Sequence, residues 1–292
     1  MSQALADRIP PPAYFATAAV FHYLGPSFAV LLFTAIEPLG VAWLRIAVAA
    51  LVFAAWRRPW RYLAVLKRAD HFRILALGGV LAAMNIVFYL AIARLPLGTV
   101  GAIEFLGPIG LAVAGARTPR NLIAVLIALS GVWLLTNIST QGQALGFLLA
   151  FGNCGLFVLY VILGHKISGP GGIDRLGAAM LVAAVIALPF GAGAALPAFL
   201  DIKLLTAAIV VGVTSSVIPY VCDQQAMARL PRATFSLMLA ILPAVATLMG
   251  LIVLRQRPSA ADLAGVGLVI MAVALHRPKA AMTSSIPQDV AA

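Results

Sequence analysis

The chemistry-bearing side chain that stands out is Glu104. It lies in the stretch GAIEFLGPIG (101–110) and is the only charged residue between Leu97 and Ala116. An ionised carboxylate facing lipid would cost several kcal/mol. The group must therefore face a cavity, find a partner or take up a proton. Pro108 follows four residues later, on the same helical face. Proline has no N–H, so the carbonyl of residue 104 loses its helical hydrogen bond. Carboxylate and orphan acceptor then point into one space, and a broken helix at membrane depth is tolerated where it lines a cavity. Gly98, Gly101, Gly107 and Gly110 surround the pair and permit close approach of backbone or ligand. This is the chemistry of a proton site or of a site for a substrate amine. The alternative is a structural Glu paired to a neighbouring helix.

Other polar residues fall at helical spacings inside apolar segments. Ser216, Tyr220 and Asp223 form one stripe, and Pro219 frees the Ser215 carbonyl as Pro108 frees that of Glu104. Asp223 either lines a cavity or sits wet at the inner end of its helix. Asn85 and Tyr89 share a face, as do Asn153 and Tyr160, and such residues either contact a ligand or join helices by hydrogen bonds. His22 is suited to relaying protons, since imidazole titrates near neutral pH, or to packing. Arg45 is suited to a substrate carboxylate, to snorkelling outward or to pairing with an acid. No phosphate-binding glycine loop, HExxH or Cys/His cluster is present. Neither an ATP-driven pump nor an enzyme is expected, and no cofactor or metal. Cys154 and Cys222 read as buried, reduced thiols.

The elements that must hold these residues are membrane helices. Hydrophobic residues make up 63% of the 292 and charged residues 10%, against about 25% charged in a soluble domain. The chain could not cover itself with polar groups in water. Spans of about 20 apolar residues fit ten segments: 13–34, 38–56, 72–93, 97–116, 121–138, 142–164, 176–196, 203–224, 233–254 and 259–276. The net charge of +11 sits mostly between these segments, which sets topology and argues against nucleic acid as a partner. With the N-terminus in the cytoplasm, the inside loops hold Arg8, six cations in 57–73, Arg117, Arg120, Lys166, Arg175, Arg229, Arg232, Arg277 and Lys279, fifteen in all. The outside loops hold Arg94, Lys203, Arg255 and Arg257. Both termini are expected inside, with a disordered cytoplasmic tail over 277–292.

The chain also repeats itself. ARLP occurs at 93–96 and 228–231. Pro108 and Pro243 follow at one common offset, and Gly115 and Gly250 at another. Each ARLP lies between the third and fourth segment of a five-segment half, 1–138 and 139–276. Five is odd, so the halves enter the membrane from opposite sides. Inverted repeats of this kind mark secondary transporters with a site near the midplane. The expected fold is thus all-α, ten spans in two inverted five-helix halves.

LRIA (44–47), RRPW (57–60), GGVLAAMNIVFYLAI (78–92), LPLGTVGAIEFLGP (95–108) and SSVIPYVCDQQAMARLPRATFSLM (215–238) resemble the drug/metabolite transporter superfamily, EamA type. Within it the resemblance is to the bacterial threonine/homoserine exporters, and it runs over nearly the whole chain. It implies proton-driven export of small amino acids across the inner membrane, by antiport, or export of another small metabolite or drug on the same fold. Glu104 matches the family's glutamate before the Gly-Pro, Asn85 and Tyr89 its polar positions in the third helix, and Arg45 its Leu-Arg position. Asp223 falls where these exporters tend to have an acid. The chain departs at Leu242, where many members have Glu, and at LRQ (254–256), where they often have Leu-Gly-Glu. The implied cycle rocks the halves around a cavity lined by the first, third, fourth, sixth, eighth and ninth segments. Ionised Glu104 holds the substrate ammonium, and an incoming proton resets it.

Overall fold

A computed structural model describes residues 9–64, 68–107, 110, 118–137, 143–231, 235 and 238–275. Every regular element among them is a helix, which is how a backbone satisfies its own N–H and C=O groups in hydrocarbon. In order these are α1 (Pro11–Leu32), α2 (Pro38–Arg57), the short α3 (Pro59–Leu63), α4 (Arg68–Ile92), α5 (Leu97–Glu104), α6 (Pro119–Asn137), α7 (Ala144–Ile167), α8 (Gly172–Gly191), α9 (Leu196–Leu200), α10 (Ile202–Gly212), α11 (Ile218–Met227), α12 (Leu242–Ile252) and α13 (Ala260–Leu275). Six stretches are long and apolar enough to span a bilayer: α1, α2, Asp70–Ile92, α7, α8 and Ile202–Met227. Three more are apolar but shorter, within α6, α12 and α13.

Where the expected segments are interrupted, the cause is proline. The expected 203–224 segment runs as α10, a π-turn over Val213–Val217 and then α11, with Pro219 in the first turn of α11. The expected 233–254 segment restarts as α12 after a 3₁₀ turn at Leu239–Ile241. Pro243 therefore begins a helix, where its missing N–H costs nothing, and does not kink one. α5 ends at Glu104 itself, with the Phe105 N–H folded back to the Ile103 carbonyl. Pro108 and the 277–292 tail lie outside the described residues.

The repeat extends from four letters to the helix boundaries. The two ARLP copies are 228 − 93 = 135 residues apart. Adding 135 carries α1 to 146–167, α2 to 173–192 and α4 to 203–227, which overlay α7, α8 and α10–α11. Each ARLP closes its turn with the same backbone bonds: Leu95 N–H to Ala91 O and Leu230 N–H to Ala226 O, both 2.9 Å. Repeat-related helices pack on one another, α2 on α8 and α6 on α13, while α5 packs on α12, α4 on α7 and α11 on α1.

Small residues line the contacts. Ala18, Ala49, Ala82, Ala178, Ala183 and Ala187 are buried, whereas Leu51, Leu148, Val185 and Leu200 point outward. This is the pattern of helices that meet through small residues and turn large apolar ones to lipid. At Gly25 a Cβ would lie 2.3 Å from Ser215 Oγ and 2.7 Å from Ser215 Cα, so α1 touches the π-turn backbone directly. The polar residues are gathered inside, where these contacts place them.

Candidate functional site

Six helices and the π-turn bring the polar side chains into one buried cluster. Glu104, at the last residue of α5, has both oxygens engaged. The Tyr23 hydroxyl on α1 donates to Oε2 at 2.9 Å, and Asn153 Nδ2 on α7 donates to Oε1 at 2.7 Å. The side chain is 7% exposed and lines a central cavity. Helix ending and carboxylate placement are linked: the chain leaves α5 beside Gly107, where a Cβ would lie 2.9 Å from the Cys154 carbonyl, next to Asn153.

Asp223 is the second carboxylate, 2% exposed. His22 Nε2 and the Tyr160 hydroxyl both lie 2.8 Å from its Oδ2. Its Oδ1 is buried with no hydrogen-bond partner. Asp223 thus lies inside the protein and not at a wet helix end. His22 and Tyr23 are consecutive on α1, and each holds one carboxylate. Asn153 and Tyr160 are seven residues apart on α7, about 10 Å along its axis, and they divide the same two acids between them.

Arg45 adopts neither the snorkelling nor the acid-pairing geometry. Its Nε donates to Ser216 Oγ at 2.9 Å and its Nη2 to the Ser215 carbonyl. That carbonyl is the one Pro219 strips of its helical donor. The guanidinium carbon sits 5.0 Å from the centre of the Tyr89 ring, within cation–π range. Asn85 Nδ2 donates to the Leu81 carbonyl at 2.6 Å and to the Tyr220 hydroxyl at 3.3 Å. Since 85 + 135 = 220, repeat-related positions touch each other here. All eight residues singled out by sequence, His22, Arg45, Asn85, Tyr89, Glu104, Asn153, Tyr220 and Asp223, belong to this one neighbourhood.

The cavity between them has a free volume of about 30 Å³, room for a water or two and not for an amino acid. Met84, Phe88, Phe105, Phe157 and Leu242 form its apolar walls. The lining comes from the first, third, fourth, sixth, eighth and ninth expected segments, joined by Arg45 from the second. Sequence reasoning missed Tyr23 and these apolar walls. Tyr23 had a signal, because Pro26 follows its neighbour His22 by four residues, the same polar–proline spacing as Glu104 and Pro108. The apolar walls had none, since Leu and Phe occur throughout the spans. Among the described residues no group of three His, Cys, Asp or Glu is placed to hold a metal, and both cysteines are free thiols.

The sequence profile described as the EamA-like transporter family matches residues 140–276. The threonine/homoserine exporter RhtA of Salmonella typhimurium (strain SL1344) is 32% identical over 235 residues, covering 80% of this chain and 79% of that protein. The threonine/homoserine exporter RhtA of Escherichia coli (strain K12) is 30% identical over 251 residues, covering 85% and 84%. The chain belongs to the EamA-like transporter family. A solved crystal structure with 17% identity superposes with a TM-score of 0.61, covering 90% of this chain and 97% of the other, and supports the helical fold. This EamA-family chain is a multi-pass membrane protein. The polar cluster sits at the centre of this membrane protein, away from its lipid-facing surface. Polar groups are costly in a membrane interior and are kept there for function.

Proposed function

We propose that the protein is a secondary-active exporter of small amino acids resembling threonine and homoserine, working by proton antiport across the bacterial inner membrane. Ten spans form two inverted five-helix halves, 1–138 and 139–276, with both termini cytoplasmic. The observation that carries the reading is Glu104, a carboxylate on a broken helix inside a central cavity, held by neutral donors and not by a cation. A substrate ammonium fits that vacancy of charge. Its N–H groups replace the Tyr23 O–H and the Asn153 N–H on the carboxylate. Two acids, Glu104 and Asp223, face one permanent cation, Arg45; a zwitterionic amino acid adds no net charge, so one proton is what balances the cluster. Arg45 and Asn85 line the same cavity and supply donors for the substrate carboxylate, while the phenylalanines and Leu242 surround its side chain.

The cavity volume means that the halves must separate for substrate to enter. Repeat-related pairs meet along the centre, and the small-residue contacts at Gly25 and Gly101 let rigid helices rock as units. That is alternating access about a fixed midplane site. The relatives named as threonine/homoserine exporters support the substrate class. The test is Glu104→Gln with efflux measured from threonine-loaded cells. The amide keeps the shape and loses the charge, and efflux is expected to fall at least about tenfold, as for loss of one charged contact. Undiminished, still pH-coupled efflux removes Glu104 from the mechanism. Competition by other metabolites in the same assay separates this reading from export of a different small molecule on the same fold.

A further inference from the structure

We propose that Asp223, clamped between His22 and Tyr160, is the proton-carrying site, separate from the amine-binding Glu104, and that α1 couples the two. The inference rests on the transport reading above and divides its labour between two carboxylates.

The difference lies in how each acid is satisfied. Glu104 has a donor on each oxygen. Asp223 receives both its donors on Oδ2, and Oδ1 is buried without one. A buried carboxylate oxygen with no donor is costly while the group is ionised. A proton handed by His22 Nε2 to Oδ2 neutralises the group: Oδ2–H then donates back to Nε2, the Tyr160 bond stays in place, and Oδ1 becomes the carbonyl oxygen of a neutral acid. Nothing else needs to move for Asp223 to take a proton. Glu104 has only the Tyr23 hydroxyl and the Asn153 amide on its oxygens, and no imidazole to hand it a proton.

The surroundings agree. The electrostatic neighbours of the His22–Asp223 pair are Glu104 on α5, Tyr160 on α7, and Tyr220 and Cys222 on α11, and Arg45 on α2 acts on Glu104 and Tyr220. The His22 and Tyr220 rings meet edge to face at 5.9 Å. The α12 helix contributes no titratable group, and α10 only Lys203 in its first turn. On α8, Asp174 is paired with Arg57 and Arg175 bonds the Ile167 carbonyl. Tyr89 on α4 lies beneath Arg45, and His165 on α7 bonds the Val161 carbonyl. His22 is thus the one imidazole among these that touches either carboxylate. A proton entering through His22 Nε2 passes to Asp223 and leaves to water when the site opens to the other side. One proton is bound and one released, with no other reactant.

Coupling follows from chain connectivity. His22 and Tyr23 are neighbours on one rigid helix, so α1 cannot shift to release Glu104 without moving the clamp on Asp223. Packing leaves α1 little freedom to do otherwise. Gly25 lies against Ser215, and a Cβ on Gly101 would be 3.1 Å from the Tyr23 hydroxyl.

The experiment uses the full chain in proteoliposomes with radiolabelled L-threonine and two readouts, threonine–threonine counterflow at equal pH and efflux driven by an acid-outside gradient. For Asp223→Asn, counterflow is expected to fall by no more than about threefold while gradient stimulation disappears; for Glu104→Gln, counterflow itself falls at least about tenfold. Tyr160→Phe removes one donor to Asp223 and folds with minimal change of shape. It is expected to move the midpoint of the pH dependence, since Asp223 loses one of its two hydrogen-bond donors. Gradient stimulation that survives in Asp223→Asn, counterflow lost there as fully as in Glu104→Gln, or an unmoved midpoint in Tyr160→Phe overturns the assignment. A wild-type protein that exchanges neither threonine nor homoserine overturns the amino-acid reading, and this assignment with it.

Discussion

Arg45 offers the sharpest test of how the cluster is held together. It is 4% exposed, and it supplies hydrogen bonds to Ser216 Oγ and to the Ser215 carbonyl. That carbonyl belongs to a π-turn and faces Pro219, which has no N–H to give it. Replacing Arg45 with Met keeps the length and apolar stem of the side chain, removes both donors, and strips the two carboxylates of their permanent cation. Each bond from a charged donor contributes about 1.5–3 kcal/mol. In membranes the average interhelical bond is nearer about 0.6 kcal/mol, because the unfolded helices find other partners. Stacking on Tyr89 adds about 0.5–2 kcal/mol. The sum lies between roughly 2 and 8 kcal/mol, and about 3 kcal/mol is the working value for partners that are buried and not replaceable by water. At about 2–4 °C per kcal/mol for a chain of this size, Arg45→Met in detergent should melt about 6–12 °C below wild type. Arg45→Lys keeps the charge but reaches one acceptor, and should fall between the two. The assay is a thermal unfolding scan followed by tryptophan fluorescence or by size-exclusion recovery. A methionine variant that melts within about 2 °C of wild type, the shift of an ordinary surface substitution, would refute the claim that Arg45 replaces the hydrogen bond lost to Pro219.

Three further outcomes join the efflux test of Glu104→Gln and the counterflow test of Asp223→Asn. Gly25→Ala places a methyl 2.7 Å from Ser215 Cα and should destabilise by about 1–3 kcal/mol. Gly79→Ala, with nothing within 4 Å, should melt at or slightly above wild type in the same scan, by up to about 1 kcal/mol of helix propensity. Phe157→Ala removes an aromatic wall of the central cavity. It should let larger apolar amino acids inhibit threonine counterflow about tenfold more strongly, the scale of discrimination set by a few methylenes.

Local arithmetic carried far in this protein. Hydropathy marked the helices, and the intervals 153–160 and 216–223 put polar residues on shared faces. Glu104 was legible because a lone acid in an apolar run needs a special environment whatever surrounds it. The repeat was legible at ARLP because a tight turn with the same backbone bonds selects the same residues twice. Partners were another matter. Nothing near Arg45 in the chain names Ser215, 170 residues away, and nothing near Glu104 names Tyr23 or Asn153. Whether Asp223 was wet or buried depended on His22 and Tyr160 arriving from α1 and α7. The roles of Pro219 and Pro243, one releasing a carbonyl to Arg45 and the other simply starting a helix, also depended on what lay opposite. Helical periodicity acts through bonds and neighbours within a few residues, so a sequence displays it directly. The choice of which helices touch comes from packing small residues and matching buried donors to acceptors across the whole molecule, and only the folded structure makes that choice.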